Sequence, residues 1–209
     1  MRAKFSIILF IILSFINISC FGMNNNIFFE KIEQDLRIDS CFVEDGVKVQ
    51  YTTNNTLRVE NEKIKKIFNE YKCIENDKNN IDNLNFYKEK QKVSAYLWYE
   101  GTKLYVEIVM NNKDEELSTN DQHYFLSKLE DGNITSKQFY YYYYKGKIKK
   151  TILNKIIKKE KLKDVDIINI NNGCSGTAVL NDKKINFAEV HYNTGSNIII
   201  ASPIIFTTY

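Results

Sequence analysis

The run from Phe139 to Ile148, FYYYYYKGKI, holds five tyrosines in succession and leaves few ways to fold. In a strand, successive side chains point to opposite faces, so Tyr140, Tyr142 and Tyr144 share one face while Phe139, Tyr141 and Tyr143 take the other. One set can pack under a helix while the other covers a neighbouring strand or meets solvent, because a tyrosine ring is apolar and its hydroxyl polar. The plain reading is an aromatic strand, central or at an edge. The sharper one is a stacking platform for bases, with Lys145, Lys147 and Lys149 on the phosphates. Charge speaks against the second. The chain carries a net +3, and without Arg2 and Lys4 its 27 basic residues face 26 acidic ones, a net +1. Phosphate-backbone binding usually needs a large positive excess. The plain reading is preferred, and nucleic acid is not an expected partner.

The start of the chain, MRAKFSIILFIILSFINISC, sets a basic end before an apolar run from Phe5 to Phe15. That run is short for a membrane span and suits the core of a signal peptide. Residues 1–22 are therefore expected to be a signal peptide or membrane anchor. The protein is expected outside the cytosol, secreted or at the extracellular face of the membrane. Cys20 follows Asn17-Ile18-Ser19 and is the candidate lipidation site. Ser19 suits lipoprotein cleavage, whereas Asn17 stands where a bacterial lipobox usually has Leu, so a soluble cut near Gly22 and a retained anchor stay open. Cys41, Cys73 and Cys174 are read as small buried apolar groups, with Cys41–Cys73 the nearest pair for a disulfide. No C-x-x-C occurs and only two histidines are present, so no metal pattern emerges and no cofactor is called for.

Hydrophobic residues make up 44% of the chain, enough for a packed core. Periodicity predicts an opening helix over 24–39 and a strand in which Val47, Val49 and Tyr51 alternate with polar residues. Asn54-Asn55 reads as a turn into a second strand. A helix follows, with Ile64, Ile67, Phe68, Tyr71 and Ile74 on one stripe. Two strands, KVSAYLWYE and KLYVEIVMN, meet at Glu100-Gly101-Thr102, where Gly101 can take a positive φ. Residues 113–135 form an acidic connecting segment with a helix capped by Asn120 and a surface residue, His123. In the second half the aromatic strand turns at Lys145-Gly146. A helix capped by Thr151 buries Ile152, Leu153, Ile156 and Ile157. Strands follow around 175–180, 184–191 and 197–205, with turns at Asn181-Asp182 and Thr194-Gly195-Ser196. The pattern predicts an α+β protein, internally duplicated, with antiparallel sheets and helices packed on one face. Its lobes are 24–112 and 136–209.

Gly173-Cys174-Ser175-Gly176 invites an enzyme reading, with Ser175 or Cys174 as nucleophile and His191 as base. A nucleophile elbow wants G-x-S-x-G between a strand and a helix, and here an apolar strand-like run follows. A turn opening a strand is the plainer reading. Glu189 and His191, two apart, share a strand face. Between Lys137 and Lys163 lie ten lysines and one acid, Glu160. Among them Lys145, Lys147, Lys149, Lys150, Lys158 and Lys159 are candidate contacts for an anionic partner; the plain alternative is a solvated helix face.

The carboxy-terminal NGCSGTAVLNDKKINFAEVHYNTGSNIIIASPIIFTTY resembles the end of YwmB-like proteins, small exported proteins of endospore-forming Gram-positive bacteria. The likeness rests on the signal peptide, the duplicated layout, Ser202-Pro203-Ile204-Ile205 and Thr207-Thr208-Tyr209. The resemblance implies a sheet similar to that of the TATA-box-binding protein, with shape rather than DNA binding in common. It brings no catalytic residue. The expectation is an exported, non-catalytic binding or adaptor protein of the cell envelope, linked to sporulation by the family's distribution alone. Its partner would be an envelope protein, an anionic envelope polymer or a lipid surface, with membrane association through the N-terminus. The alternatives are an envelope hydrolase using Ser175 or Cys174 with His191, and a DNA-binding protein by fold analogy.

Overall fold

The computed structural model describes residues 25–76 and 82–207; the expected signal segment with Cys20, and Thr208-Tyr209, lie outside them. Ten strands pair antiparallel into one sheet. The first half contributes α1 (Asn25–Asp39), β1 (Cys41–Thr53), α2 (Leu57–Glu70), β2 (Ile74–Glu75), β3 (Asn83–Lys88), β4 (Gln91–Glu100) and β5 (Lys103–Asn112). The rest contributes α3 (Thr119–Ser127), β6 (Phe139–Ile148), α4 (Leu153–Lys159), β7 (Lys163–Ile170), β8 (Gly173–Leu180), β9 (Lys183–Tyr192) and β10 (Gly195–Ser202). The strand order is β2-β3-β4-β5-β1-β6-β10-β9-β8-β7, so the aromatic strand β6 is central, between β1 and β10. The class is α+β, as the periodicity predicts.

Register explains why the helices share one face. Tyr142, Val47, Met110, Val93 and Phe86 lie opposite one another across five strands and form one row. Phe29 of α1 stacks on Tyr142 at 5.4 Å, and Phe68 of α2 stacks on Phe86 at 4.9 Å. Phe125 of α3 meets Phe68 at 5.2 Å, and Ile156 of α4 is fully buried. Val47, Val49, Ile108, Phe187 and Ile200 complete a continuous apolar cluster between sheet and helices.

Several local expectations are corrected. Asn54-Asn55 leads into α2, with no strand between. Buried Glu60 accepts hydrogen bonds from Tyr51 Oη and Asn55 Nδ2, both at 2.7 Å, which ties the end of β1 to the first helical turn. Thr56 caps that helix by accepting from Val59 N. Ile74 leaves the helix stripe and is 75% exposed on β2. The cap of α3 is Ser118, which shares a reciprocal pair of hydrogen bonds with Asp121; Asn120 lies inside the helix. Lys145-Gly146 is no turn, and β6 runs through it to Ile148. Gly146 is there because Ser40 and the Tyr144 ring occupy the space a Cβ would need. Thr151 does not cap α4. Its place is taken from across the sheet by Glu189, whose Oε2 accepts from Ile152 N at 3.1 Å and Leu153 N at 3.0 Å. Strands β2, β3 and β7 were not anticipated. The turn at Asn181-Asp182 holds, with φ of 49° and 60°, and Gly101 takes φ 62°. Cys41 is exposed, Cys73 buried and Cys174 half-buried, and all three are free thiols. His123 is half-buried: its Nδ1 lies 2.8 Å from Tyr142 Oη, and burial lowers its pKa.

Candidate ligand-binding face

The face of the sheet opposite the helices carries Gln50, Tyr141 and Tyr143 at its centre. Tyr141 Oη donates to Gln50 Oε1 at 2.7 Å, and Tyr143 Oη donates to Asn111 Oδ1 at 3.0 Å. The chain's own end lies over them. Phe206 stands edge-on to Tyr141 and Tyr143 at 6.4 and 5.0 Å. The Lys48 ammonium sits 4.3 Å from the Tyr141 ring centre and 5.5 Å from that of Phe206. Thr207 Oγ1 donates to Glu44 Oε1 at 3.3 Å, and Asn186 Nδ2 donates to the Pro203 carbonyl. Burial holds both phenols well above the usual tyrosine pKa. Tyr141 is 1% and Tyr143 0% exposed, so these rings offer no stacking platform.

Rings on β3, β4 and β5 remain accessible on the same face. Trp98 and Tyr105 lie opposite each other in register and stack at 5.7 Å with planes 18° apart. Tyr96 and Tyr87 are 40% and 39% exposed. Ser94 Oγ donates to Asn85 Oδ1 at 2.8 Å between them. Where the open end of the β4–β5 hairpin meets β1 and β6 there is a cleft of 390 Å³, lined by Lys90, Lys92, Lys113, Gln91, Tyr87 and Tyr143 among others. Glu44 and Glu89 also border it. Glu44 is engaged by Lys145 at 3.8 Å and by Thr207, and Lys90 lies 3.9 Å from Asp114. Lys92 and Lys113 are exposed and form no ion pair among the described residues. Gln91 is 5% exposed and shares the helix-covered face with Val93; its buried Oε1 has no hydrogen-bond partner among the described residues. The cleft thus offers ammonium groups and a ring side by side.

The lysines singled out by sequence are not brought together. Lys145 and Lys147 belong to the helix-free side of β6, as their register partners show. Lys149 and Lys150 are exposed in the connection to α4, and Lys158 and Lys159 lie on α4 itself, on the opposite layer. Lys159 Nζ is 2.6 Å from Asp35 Oδ1, and Lys155 Nζ is 2.6 Å from Asp39 Oδ1, so part of the tract docks α4 on α1. The cleft lysines escaped notice, although counting back from the Gly101 turn pairs Gln91 with Asn112 and so sets Lys90 beside Lys113.

The hydrolase constellation does not assemble around Ser175, whereas Cys174 shares the face of Glu189 and His191. Ser175 lies opposite Ala188, whereas Cys174 lies opposite Glu189, so Ser175 and His191 occupy opposite faces of the sheet. Ser175 Oγ donates to the Phe187 carbonyl at 3.3 Å. Both ring nitrogens of His191 are engaged, Nδ1 with Ser196 Oγ at 2.8 Å and Nε2 with Glu189 Oε1 at 3.2 Å. Burial and the nearby Glu189 push the Cys174 thiol up, the reverse of what a thiolate nucleophile needs. Among the described residues no group of three or more His, Cys, Asp and Glu is placed to hold a metal ion, and no helix is long and apolar enough to cross a membrane. The chain matches no protein-family model and no curated protein at a significant level.

Proposed function

We propose that the chain is an exported, non-catalytic binding protein of the cell envelope, and that its ligand is an anionic, sugar-containing envelope polymer held on the helix-free face. The observation that carries this is the cleft, where Lys90, Lys92 and Lys113 converge beside Tyr87, with the rings of Tyr96, Trp98 and Tyr105 farther along the same face of the β4–β5 hairpin. Sugar C–H faces lie against rings, while phosphate or carboxylate groups meet ammonium groups, which act as compact point charges. The apolar leader supports export, and the resemblance to YwmB-like proteins supports an envelope setting with a link to sporulation. An internally duplicated sheet of the TATA-box-binding type is part of the same proposal. Its support is the strand order: outward from the β1–β6 pair, β5, β4, β3, β2 on one side answer β10, β9, β8, β7 on the other. The order helix, strand, helix, four strands also occurs twice along the chain.

The test is co-sedimentation of the purified protein with isolated cell walls, before and after the anionic polymer is extracted. Binding should fall on extraction, fall with added salt, and fall for the Lys90→Gln/Lys92→Gln/Lys113→Gln triple variant. Binding that survives both extraction and the triple variant would show that the face does not serve this ligand. Recovery of unprocessed chain in the cytosol would defeat the export reading, and retention on lipid vesicles or on a wall protein alone would move the partner to those classes.

A further inference from the structure

The two ends of the sheet are built differently. At one end β2 is two residues long, Ile74–Glu75. At the other, β7 is eight residues long, Lys163–Ile170, and among the described residues pairs only with β8. Its first half is blunted, as exposed strand edges usually are, by the charges of Lys163, Asp164 and Asp166 and by a register shift, with Asp164 at φ 48°. Its second half has no such protection. Ile167, Ile168 and Ile170 are 40%, 63% and 46% exposed. The reason lies in β8: Ile167, Ile168 and Ile170 face Gly176, Ser175 and Gly173, which are too small to cover them. An unpaired backbone edge flanked by exposed isoleucines is a template for another strand.

We propose that β7 is a dimerisation edge, and that its occupant is β7 of a second copy, antiparallel, joining the two sheets into one. Two facts select a second copy. The β2 edge is too short to receive β7 head to tail, so an open chain of molecules has no second surface and the contact must close on itself. The segment is also self-complementary. A two-fold axis perpendicular to the sheet keeps each side chain on its own face, so the register centres on a residue. Centred on Asn169, Ile168 of each copy lies opposite Ile170 of the other, the two Asn169 amides meet, and Asp166 faces Asn172. No like charges are opposed. The four isoleucines then cover one another in place of the missing cross-strand cover. The same layout assigns Gly173-Cys174-Ser175-Gly176 a role as the small-residue floor beneath β7.

Sedimentation velocity of the purified protein across the micromolar range tests this. The wild type should show a concentration-dependent monomer–dimer equilibrium. Ile168→Lys/Ile170→Lys should be monomeric, with a thermal midpoint equal to that of the wild type at concentrations too low for it to dimerise, since both sites are solvent-facing in the single copy. Asn169→Cys should add a disulfide-linked dimer under mild oxidation, absent from the wild type and from the same variant carrying the two lysines. A wild type that stays monomeric throughout, or a dimer indifferent to the two lysines, would overturn the proposal. So would an Asn169→Cys variant that gives no linked dimer while the wild type self-associates, since that register places the two thiols within bonding reach.

Discussion

Helix α4 begins inside the protein, and its first donors are met by a carboxylate from a strand. Glu189 is 1% exposed. Its Oε2 accepts from the backbone N–H groups of Ile152 and Leu153, which are 4% and 2% exposed. Removing the carboxylate leaves two buried donors unpaired, and each such loss costs about 1–3 kcal/mol. Glu189→Ala should therefore destabilise by roughly 3–5 kcal/mol, a large part of the ~5–15 kcal/mol that holds a typical domain together. In a chain of this size that lowers the melting midpoint by about 10 °C. Glu189→Gln keeps an acceptor oxygen and loses only the charge at the helix start, so about 1–2 kcal/mol is expected. His191 touches the same carboxylate from a half-exposed position, and His191→Ala should change stability by less than about 1 kcal/mol. Urea unfolding followed by circular dichroism orders the three variants. If Glu189→Ala falls within about 1 kcal/mol of the wild type, comparable to the exposed-site control, then the carboxylate does not anchor α4 and the reasoning fails.

Two further outcomes follow from buried contacts. Phe206→Ala should uncover Tyr141 and Tyr143, raising acrylamide quenching of tyrosine fluorescence and lowering stability by about 2 kcal/mol; unchanged quenching would mean that the chain end does not cover the sheet centre. Glu160 is buried against Asp35 at the contact of α1 and α4, and burial first, then Asp35, raises its carboxyl above the usual range, while the hydrogen bond with Glu160 chiefly lowers that of Asp35. For a raised acid, stability is lost as pH rises through the folded value, so Glu160→Gln should exceed the wild type at neutral pH and the gap should narrow as pH falls toward the ordinary glutamate range. A gap that widens on acidification would contradict the assignment. The depressed Asp35 acts in the opposite sense, and its contribution is lost only at lower pH.

Where side-chain period was strong, the fold was legible. Val47, Val49 and Tyr51, the β4–β5 hairpin about Gly101, and the inner stripe of α4 all stand where alternation or helical spacing puts them. Failures came where a local signal was overruled by a distant partner. Asn54-Asn55 has the residues of a hairpin turn, but Asn55 donates to Glu60 and the chain enters a helix. Lys145-Gly146 has the residues of a turn, but its glycine admits Ser40 within a continuous strand. Thr151 looks like a cap, yet the cap comes from Glu189, 36 residues beyond Leu153. Strand β7 was missed because its isoleucines are exposed on both faces and no alternation marks them. The lysine tract is contiguous only along the chain: β6 and α4 belong to different layers, so adjacency in sequence becomes separation in space. The cleft is the converse case, since Lys90 and Lys113 meet only through the register of β4 with β5.

The two proposals constrain each other. A two-fold axis perpendicular to the sheet leaves the helix-free faces of both copies on the same side. Rings on β4 lie seven strands from β7, so in a joined sheet the two ligand faces are separated by roughly 70 Å along the sheet, at about 4.8 Å per strand. A long polymer can span that distance and engage both faces; a short oligomer cannot. The second engagement is then intramolecular and adds avidity without any new contact. Edge variants at Ile168 and Ile170 should accordingly bind short oligomers as the wild type does and hold long polymers less tightly. Cleft variants at Lys90, Lys92 and Lys113 should lose both. An edge variant that lost short oligomers too would place the ligand at β7, and the face carrying Tyr96 and Trp98 would lose its role.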